Sequence, residues 1–194
     1  MPQPDNLRIT QFNLEIVGAC NYNCSSCPQA NNGREKNFRK IMPFPLIKKV
    51  LDDARQYGVE SVSLHGSGEP TLHKELPAIV RYVREQGFRP SFFTNGERLT
   101  PALFREVAEA GLDLVTVSMI GYNREMYKKW MSTDRFDQVY KNLEGCLEIK
   151  RTLGLKTQIH TRHLILDANN SEYEVGEYKR NVIDALPGLM TEIW

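Results

Sequence analysis

The sequence predicts an α/β protein built from parallel βαβ units. Three observations lead there. Short apolar runs alternate with longer segments whose apolar residues recur at helical spacing. Glycine or proline punctuates the junctions between them. The chemistry-bearing runs, Cys20 to Cys27, Gly66 to Pro70, Thr94 to Gly96 and Ser118 to Gly121, each follow a predicted strand. Strands alternating with helices form parallel sheets whose crossovers are right-handed. On pattern alone, six such units build either an open partial barrel or a flat doubly wound sheet. Both folds gather ligands at the carboxyl ends of their strands.

Ile9 to Val17 reads as the first strand, with Phe12, Leu14 and Ile16 on one alternating face. A long loop follows, from about Gly18 to Met42, and loops of that length in compact domains usually carry function. Pro43 to Tyr57 reads as the first helix, with Leu46, Ile47, Val50, Leu51 and Ala54 at helical spacing and Gly58 as its stop. Val59 to Leu64 is a short apolar strand. Leu76, Ile79, Val80 and Val83 mark the second helix, ended near Gly87. Arg89 to Thr94 is the third strand. Thr100-Pro101 opens the third helix, with a capping hydroxyl and then proline at the first helical position. Gly111 closes that helix.

Leu112 to Met119 is the fourth strand. Asp134 is the expected cap of a fourth helix bearing Phe136, Val139, Tyr140, Leu143 and Leu147. The fifth strand lies within Lys156 to Leu166. Ser171 and Glu174 have capping-box spacing for a last helix with Val175, Tyr178, Val182, Ile183 and Leu186. Pro187-Gly188 breaks it, and Leu189 to Trp194 reads as the sixth strand.

The 194 residues suit one domain spanning 1–194 with a sizeable core. Lys plus Arg is 25 and Asp plus Glu is 24, a formal charge of +1. That balance gives no electrostatic footprint for nucleic acid or an anionic membrane. No apolar run approaches the ~18 residues needed to span a bilayer. No signal-peptide apolar region follows Met1-Pro2-Gln3-Pro4.

Cys20, Cys24 and Cys27 have the spacing C-x3-C-x2-C on the long loop. A disulfide framework wants an even number of cysteines in a secreted chain, and Cys146 lies far away in a helical pattern. A structural zinc site needs a fourth ligand, for which His65 and His73 are candidates. An ordinary [4Fe–4S] cluster takes four cysteines. Three thiolates on a cubane leave one iron open to a substrate or cofactor. Free thiolates point to a reducing compartment, so the expected location is the cytoplasm.

The triad resembles the cluster motif of the radical S-adenosylmethionine (radical SAM) superfamily, and the resemblance covers nearly the whole chain. Gly66-Ser67-Gly68-Glu69-Pro70 resembles the family's GGEP motif. Thr94-Asn95-Gly96 resembles the end of its third strand, and Ser118-Met119-Ile120-Gly121 its S-I-D-G. The stretch Ser118 to Val139 is similar to the subgroup that carries SPASM domains. The resemblance implies a partial (β/α)6 TIM-like barrel with residues 18–42 as the cluster-binding loop. It implies a [4Fe–4S] cluster held by Cys20, Cys24 and Cys27, with SAM on the fourth iron. It implies SAM contacts from Gly66, Gly68, Glu69, Asn95 and Ser118. Reductive cleavage of SAM would give a 5′-deoxyadenosyl radical that abstracts hydrogen from a peptide or small-molecule substrate. A reductant such as flavodoxin or ferredoxin would supply the electron. A non-catalytic iron–sulfur carrier or sensor is the alternative.

Three positions depart from the family pattern. Ser26 precedes the third cysteine, where a bulky residue is usual. Ile120 replaces the aspartate of S-I-D-G. Met131 stands where a basic residue is common, with Arg135 nearby as a substitute. Outside the motifs, Arg162 in the fifth strand either reaches an anion inside the barrel or faces outward. His65, His160 and His163 read as structural histidines, and Cys146 as a small core residue. Arg34, Lys36, Arg39 and Lys40 either solvate the loop or dock an electron donor. A final strand with an apolar Trp194 favours a longer chain or a partner subunit.

Overall fold

The computed structural model describes residues 9–27 and 40–193. Its six strands are β1 (Gln11–Asn13), β2 (Ser61–Ser63), β3 (Arg89–Thr94), β4 (Leu114–Ser118), β5 (Gln158–His163) and β6 (Met190–Ile193). They form one sheet in the order β1-β2-β3-β4-β5-β6, and every pairing is parallel. The chain therefore steps one strand onward at each crossover. A doubly wound sheet reverses its order part-way; this one never does, which excludes the flat alternative. Among the described residues β6 does not return to pair with β1, so the barrel is open.

The helices are α1 (Phe44–Ala54), α2 (Leu76–Glu85), α3 (Pro101–Glu109), α4 (Arg124–Met131), α5 (Phe136–Leu153) and α6 (Ser171–Tyr178). They pack in sequence, α1 on α2, α2 on α3, α3 on α5 and α4 on α5. Side chains alternate across a strand, and here the two faces differ in chemistry. One face carries Val62, Phe92, Val115, Val117 and Ile159, all essentially fully buried in the core. The core is completed by Ile47 and Leu51 of α1, Ile79 and Val80 of α2, Phe104 of α3 and Leu143 of α5. Each such side chain contributes about 1.5–3 kcal/mol by leaving water.

The other face, the inside of the barrel, is mostly polar. In register across the strands run Asn13, Ser63, Ser91, Leu114 and Gln158, and one level higher Phe93, Thr116, His160 and Met190. Ser118, Arg162 and Glu192 make the next row. A packed barrel fills its interior with branched apolar residues. This interior instead holds an open cavity of about 600 Å³ that reaches the amino-terminal ends of the strands, lined by Gln11, Ser61, Arg89, Asp113, Gln158 and Arg162 among others.

Several local expectations hold. The Thr100 hydroxyl accepts the Leu103 N–H at 3.2 Å and caps α3. Gly58 ends the first helical segment at φ 71°, after a 3-10 turn at Arg55–Tyr57.

Others are corrected. The first strand pairs only over Gln11–Asn13, although Leu14 N–H still donates to Ser63 O at 2.9 Å. Its expected partner positions run out because β2 is only three residues long. A helix absent from the sequence reading, α4, precedes the expected fourth one. Asp134 caps nothing: its carboxylate is held by Arg124 at 2.8 Å and Lys128 at 3.5 Å, and Arg135 occupies the cap position of α5. Ser171 and Glu174 form no capping box, because Glu174 is turned inward to accept the Leu166 N–H at 2.9 Å. The last helical segment changes to a π-turn at Lys179–Ile183. Trp194, Pro28 and the Arg34, Lys36 and Arg39 charges lie outside the described residues.

Candidate functional site

The cysteine loop leaves the first strand through Leu14, Ile16 and Val17, all buried, and is anchored from three directions. The first anchor is the turn after β2. A Cβ on Gly68 would sit 1.9 Å from the Val17 carbonyl oxygen and 2.8 Å from that of Ala19. Only glycine lets these two backbones pass. The next residue completes the join, as Glu69 N–H donates to Ala19 O at 2.8 Å. Gly66 packs the same way against the Glu15 side chain, whose carboxylate accepts the Ser67 N–H at 2.5 Å.

The second anchor is the turn after β3. Asn95 donates through Nδ2 to Asn21 Oδ1 at 2.8 Å, and the same nitrogen lies 4.0 Å from Cys20 Sγ. Asn21 in turn donates to the Glu97 carboxylate. Asn142 of α5 braces this turn from below, donating to the carbonyls of Gly96 and Glu97, each at 2.9 Å.

The third anchor is α4. The Trp130 carbonyl near its C-terminus accepts both the Ser25 N–H and the Ser25 hydroxyl at 3.1 Å. Met131 Sδ lies 3.9 Å from Cys24 Sγ. The buried Tyr127 hydroxyl donates to that of Tyr22 at 3.3 Å. α4 exists here because Asn123 caps it, accepting the Met126 N–H at 2.9 Å. The chain can turn into it only at glycine: Gly121 has φ 123°, and a Cβ there would meet Tyr127 N at 2.3 Å.

Cys20, Cys24 and Cys27 are reduced and half-buried. The Tyr22 N–H donates to Cys20 Sγ at 3.4 Å. Among the described residues, no three His, Cys, Asp or Glu side chains converge on a point that would hold a single metal ion. A cluster asks for something different, since each thiolate binds its own iron. Three reduced cysteines on one loop, one accepting an N–H, fit that donor set. The expected fourth ligands for zinc are engaged elsewhere. His73 uses both ring nitrogens, on Met42 O at 3.0 Å and the Glu75 N–H at 3.1 Å. His65 bonds Ser63 at 2.6 Å and lies against the Phe93 ring.

Glu69 is 2% exposed. Its Oε1 accepts from Thr71 N at 3.0 Å and from the hydroxyls of Thr71 and Thr94 at 2.7 Å; its Oε2 accepts the Asn95 N–H at 2.7 Å. Burial pushes the carboxyl above the usual range, while these four donors pull the other way. Both oxygens are thus committed to tying β2's turn to β3's. Ser118 ends β4 half-buried, in register with Arg162.

All four motifs lie at the carboxyl ends of strands of one open, singly wound sheet, and three of them, the cysteine loop and the turns after β2 and β3, are bonded to one another. The pattern of the radical SAM superfamily matches residues 14–171. The chain belongs to the radical SAM superfamily. A [4Fe–4S] cluster and SAM are the cofactors of that family.

This radical SAM chain is 29% identical over 145 residues to a Methanococcus maripaludis protein named probable GTP 3′,8-cyclase, covering 75% of this chain and 48% of that one. It is 34% identical over 141 residues to a Pyrococcus abyssi protein of the same name, covering 73% and 44%. It spans less than half the length of these relatives. Among solved structures, Streptococcus suis SuiB bound to the precursor peptide SuiA superposes with a TM-score of 0.71 at 18% identity, over 91% of this chain and 38% of SuiB. A radical SAM methyltransferase from Sphaerobacter thermophilus gives 0.69 at 20% identity, over 100% of this chain and 56% of that one. At these identities the likeness is one of fold.

The remaining candidates separate clearly. Arg162 faces the barrel interior, stacked 4.4 Å over Phe93 and bonded to Glu192 at 2.6 Å. His160, on the same face, is 3.6 Å from Glu192. Arg135 pairs with Glu97 at 3.2 Å on the outer side of the rim, and Met131 rather than a base lies beside Cys24. Cys146 is core: burial pushes its thiol up to about 12, and its sulfur lies 3.5 Å from Leu99 O. No described helix is long and apolar enough to cross a membrane.

Sequence reasoning missed Asn21, Glu97, Asn142 and α4. Asn142 gives no signal beyond being a polar residue on an apolar stripe. Asn21 and Glu97 had one, each being the polar neighbour of a motif residue.

Proposed function

We propose that this chain forms the catalytic core of a radical SAM enzyme that cleaves SAM reductively and uses the 5′-deoxyadenosyl radical to take hydrogen from a small polar substrate. The carrying observation is the set of hydrogen bonds that lock the cysteine loop to the turns after β2 and β3. An electron carrier needs its cluster ligands but not this shared scaffold.

In this reading Cys20, Cys24 and Cys27 would hold a [4Fe–4S] cluster, which when bound and reduced would supply the electron for SAM cleavage. The turn Gly66 to Glu69, Asn95 and Ser118 border SAM. Because Glu69 is 2% exposed and bonded to Thr71, Thr94 and Asn95, the backbone of that turn is the part left to receive the SAM ammonium. The Glu69 carboxylate positions it. Residues 1–194 act as one domain, with 18–42 as the cluster-binding loop. A flavodoxin- or ferredoxin-type protein supplies the electron.

The polar inner face of the barrel, with Ser63, Ser91, Thr116, His160 and Arg162 in register, supports a substrate rich in hydrogen-bonding groups. The name shared by the Methanococcus and Pyrococcus relatives, probable GTP 3′,8-cyclase, is compatible with such a substrate.

The test is electron paramagnetic resonance of the anaerobically reconstituted, reduced protein with and without SAM. Direct binding of SAM to the open iron is expected to shift the cluster signal. An unchanged signal assigns the chain to the carrier or sensor class.

A further inference from the structure

The Glu97 carboxylate divides its two oxygens between the cysteine loop and α5. Oε2 accepts from Asn21, the chain neighbour of Cys20, and Oε1 lies 3.2 Å from Arg135 Nε. The join to the loop is a closed ring. Glu97 N–H donates to Asn95 Oδ1 at 3.0 Å, and Asn95 Nδ2 donates to Asn21 Oδ1 at 2.8 Å. Asn142 Nδ2 holds the Glu97 carbonyl at 2.9 Å. Glu97 is therefore fixed against the loop by side chain and backbone together.

Local structure asks for neither charge. An uncharged amide oxygen at position 97 would also accept from Asn21. Arg135 stands at the N-cap of α5, makes no side-chain capping bond there, and as a cation opposes the helix dipole. Both charges nevertheless reach the cysteine loop. Burial raises the pKa of the Tyr22 hydroxyl; after the opposing bond from Tyr127, Glu97 raises it further, Cys24 adds to that, and Arg135 lowers it. Glu97, Arg135 and the loop thus share one electrostatic neighbourhood. The Glu97 side chain is only 23% exposed, so salt screens its charge less than that of a fully exposed carboxylate.

We propose that Glu97 and Arg135 are paired positioning residues for cluster reduction: Glu97 seats the cysteine loop through Asn21, and Arg135 offsets the charge that this seating places beside the loop. The inference rests on the cluster assigned to Cys20, Cys24 and Cys27 under Proposed function. Reduction adds one electron, given up by the one-electron donor named there, and no bond or proton moves at this step. A carboxylate beside the loop opposes the added negative charge, and the guanidinium on its other oxygen relieves that opposition. Glu97 bonds the loop and Arg135 bonds Glu97, so the carboxylate is the stronger of the two influences.

The experiment is a redox titration of the anaerobically reconstituted protein, without SAM, followed by electron paramagnetic resonance of the reduced cluster, with iron per chain measured alongside. Glu97→Gln removes the carboxylate charge and keeps an acceptor for Asn21; Arg135→Gln removes the cation. Arg105→Gln, which breaks an exposed pair with Glu109 on α3, controls for net charge. Glu97→Gln is expected to move the midpoint to more positive potential and Arg135→Gln to more negative potential. Each shift should be about threefold or more in the reduction equilibrium, which is about 28 mV at ~59 mV per tenfold, and the Glu97 shift should be the larger. Iron content should stay as in the wild type in both variants and fall in Glu97→Ala, which leaves Asn21 unmet. Shifts of the same sign, no shift in either variant, or an equal shift in Arg105→Gln overturns the proposal. A wild type that takes up no cluster overturns it together with the reading it rests on. Failure of SAM chemistry alone looks different: the opposite shifts are then present, and added SAM leaves the cluster signal unchanged.

Discussion

The Asn95 backbone N–H donates to Glu69 Oε2 at 2.7 Å, joining the ends of two neighbouring strands through one buried carboxylate. Both residues belong to motifs, yet their bond to each other is structural. It fixes the turn after β3 relative to the turn after β2, and each of those turns grips the cysteine loop. Glu69→Ala strands donors from Thr71, Thr94 and Asn95. An unmet buried donor costs about 1–3 kcal/mol, so the expected loss is at least that, read as a shift in the urea midpoint. Glu69→Gln, which turns an NH2 toward one of these donors, should cost less than alanine but remain measurable.

Gly68→Ala is expected to prevent the cysteine loop from seating, because its Cβ would lie 1.9 Å from Val17 O. Iron bound per chain after reconstitution should fall sharply. Gly154→Ala is the contrast. Gly154 has φ 62° and nothing within 4 Å of the added Cβ, so only the left-handed backbone penalty of about 1–2 kcal/mol applies, and iron content should be unchanged.

The fold was legible because β/α alternation is written in the apolar periodicity, and β3 was bounded without error as Arg89–Thr94. The cysteine triad and the turns around Gly68, Asn95 and Ser118 were legible because they fall at strand ends. α4 was not, for a physical reason. Half of its sequence Arg124-Glu125-Met126-Tyr127-Lys128-Lys129-Trp130-Met131 is charged, and it buries only Tyr127 and Met131. The Asn123 cap and the i,i+4 pair were its only signals. Glu174 misled for a related reason: a glutamate at capping-box spacing serves a tertiary partner as readily as a local one. The inward direction of Arg162 needed the register of β4 with β5, which no single strand contains.

His163 carries a pH dependence of stability. It is fully buried, accepts the Gly121 N–H at 3.2 Å through Nδ1, stacks on Tyr178 and lies 3.7 Å from Glu174. Desolvation lowers its pKa, and Glu174 only partly opposes this. The unfolded chain then binds the proton more readily than the folded one. Stability contributed by neutral His163 is complete above the unfolded value near ~6.5 and is lost as pH falls through it toward the folded value. Tm should therefore drop on acidification below about 6.5. His163→Asn, which keeps an acceptor for Gly121 but does not titrate there, should flatten that slope while lowering Tm at neutral pH.

Asn142→Ala removes two hydrogen bonds to the carbonyls that shape the Asn95 turn. The expected cost is about 1–3 kcal/mol, with weaker SAM binding by equilibrium dialysis. Cys146→Ser, by comparison, should change stability modestly and leave iron content and SAM binding intact, because Cys146 lies in the core against Leu99.

The most direct measurement is 5′-deoxyadenosine formation from SAM by the protein reconstituted anaerobically with iron and sulfide and reduced with dithionite. A Cys20→Ala, Cys24→Ala, Cys27→Ala triple variant is the control. Product from the intact triad and none from the triple variant is the expected result. A protein that binds its cluster and yields no 5′-deoxyadenosine, or a triple variant that still yields it, would contradict the radical SAM reaction proposed for this chain.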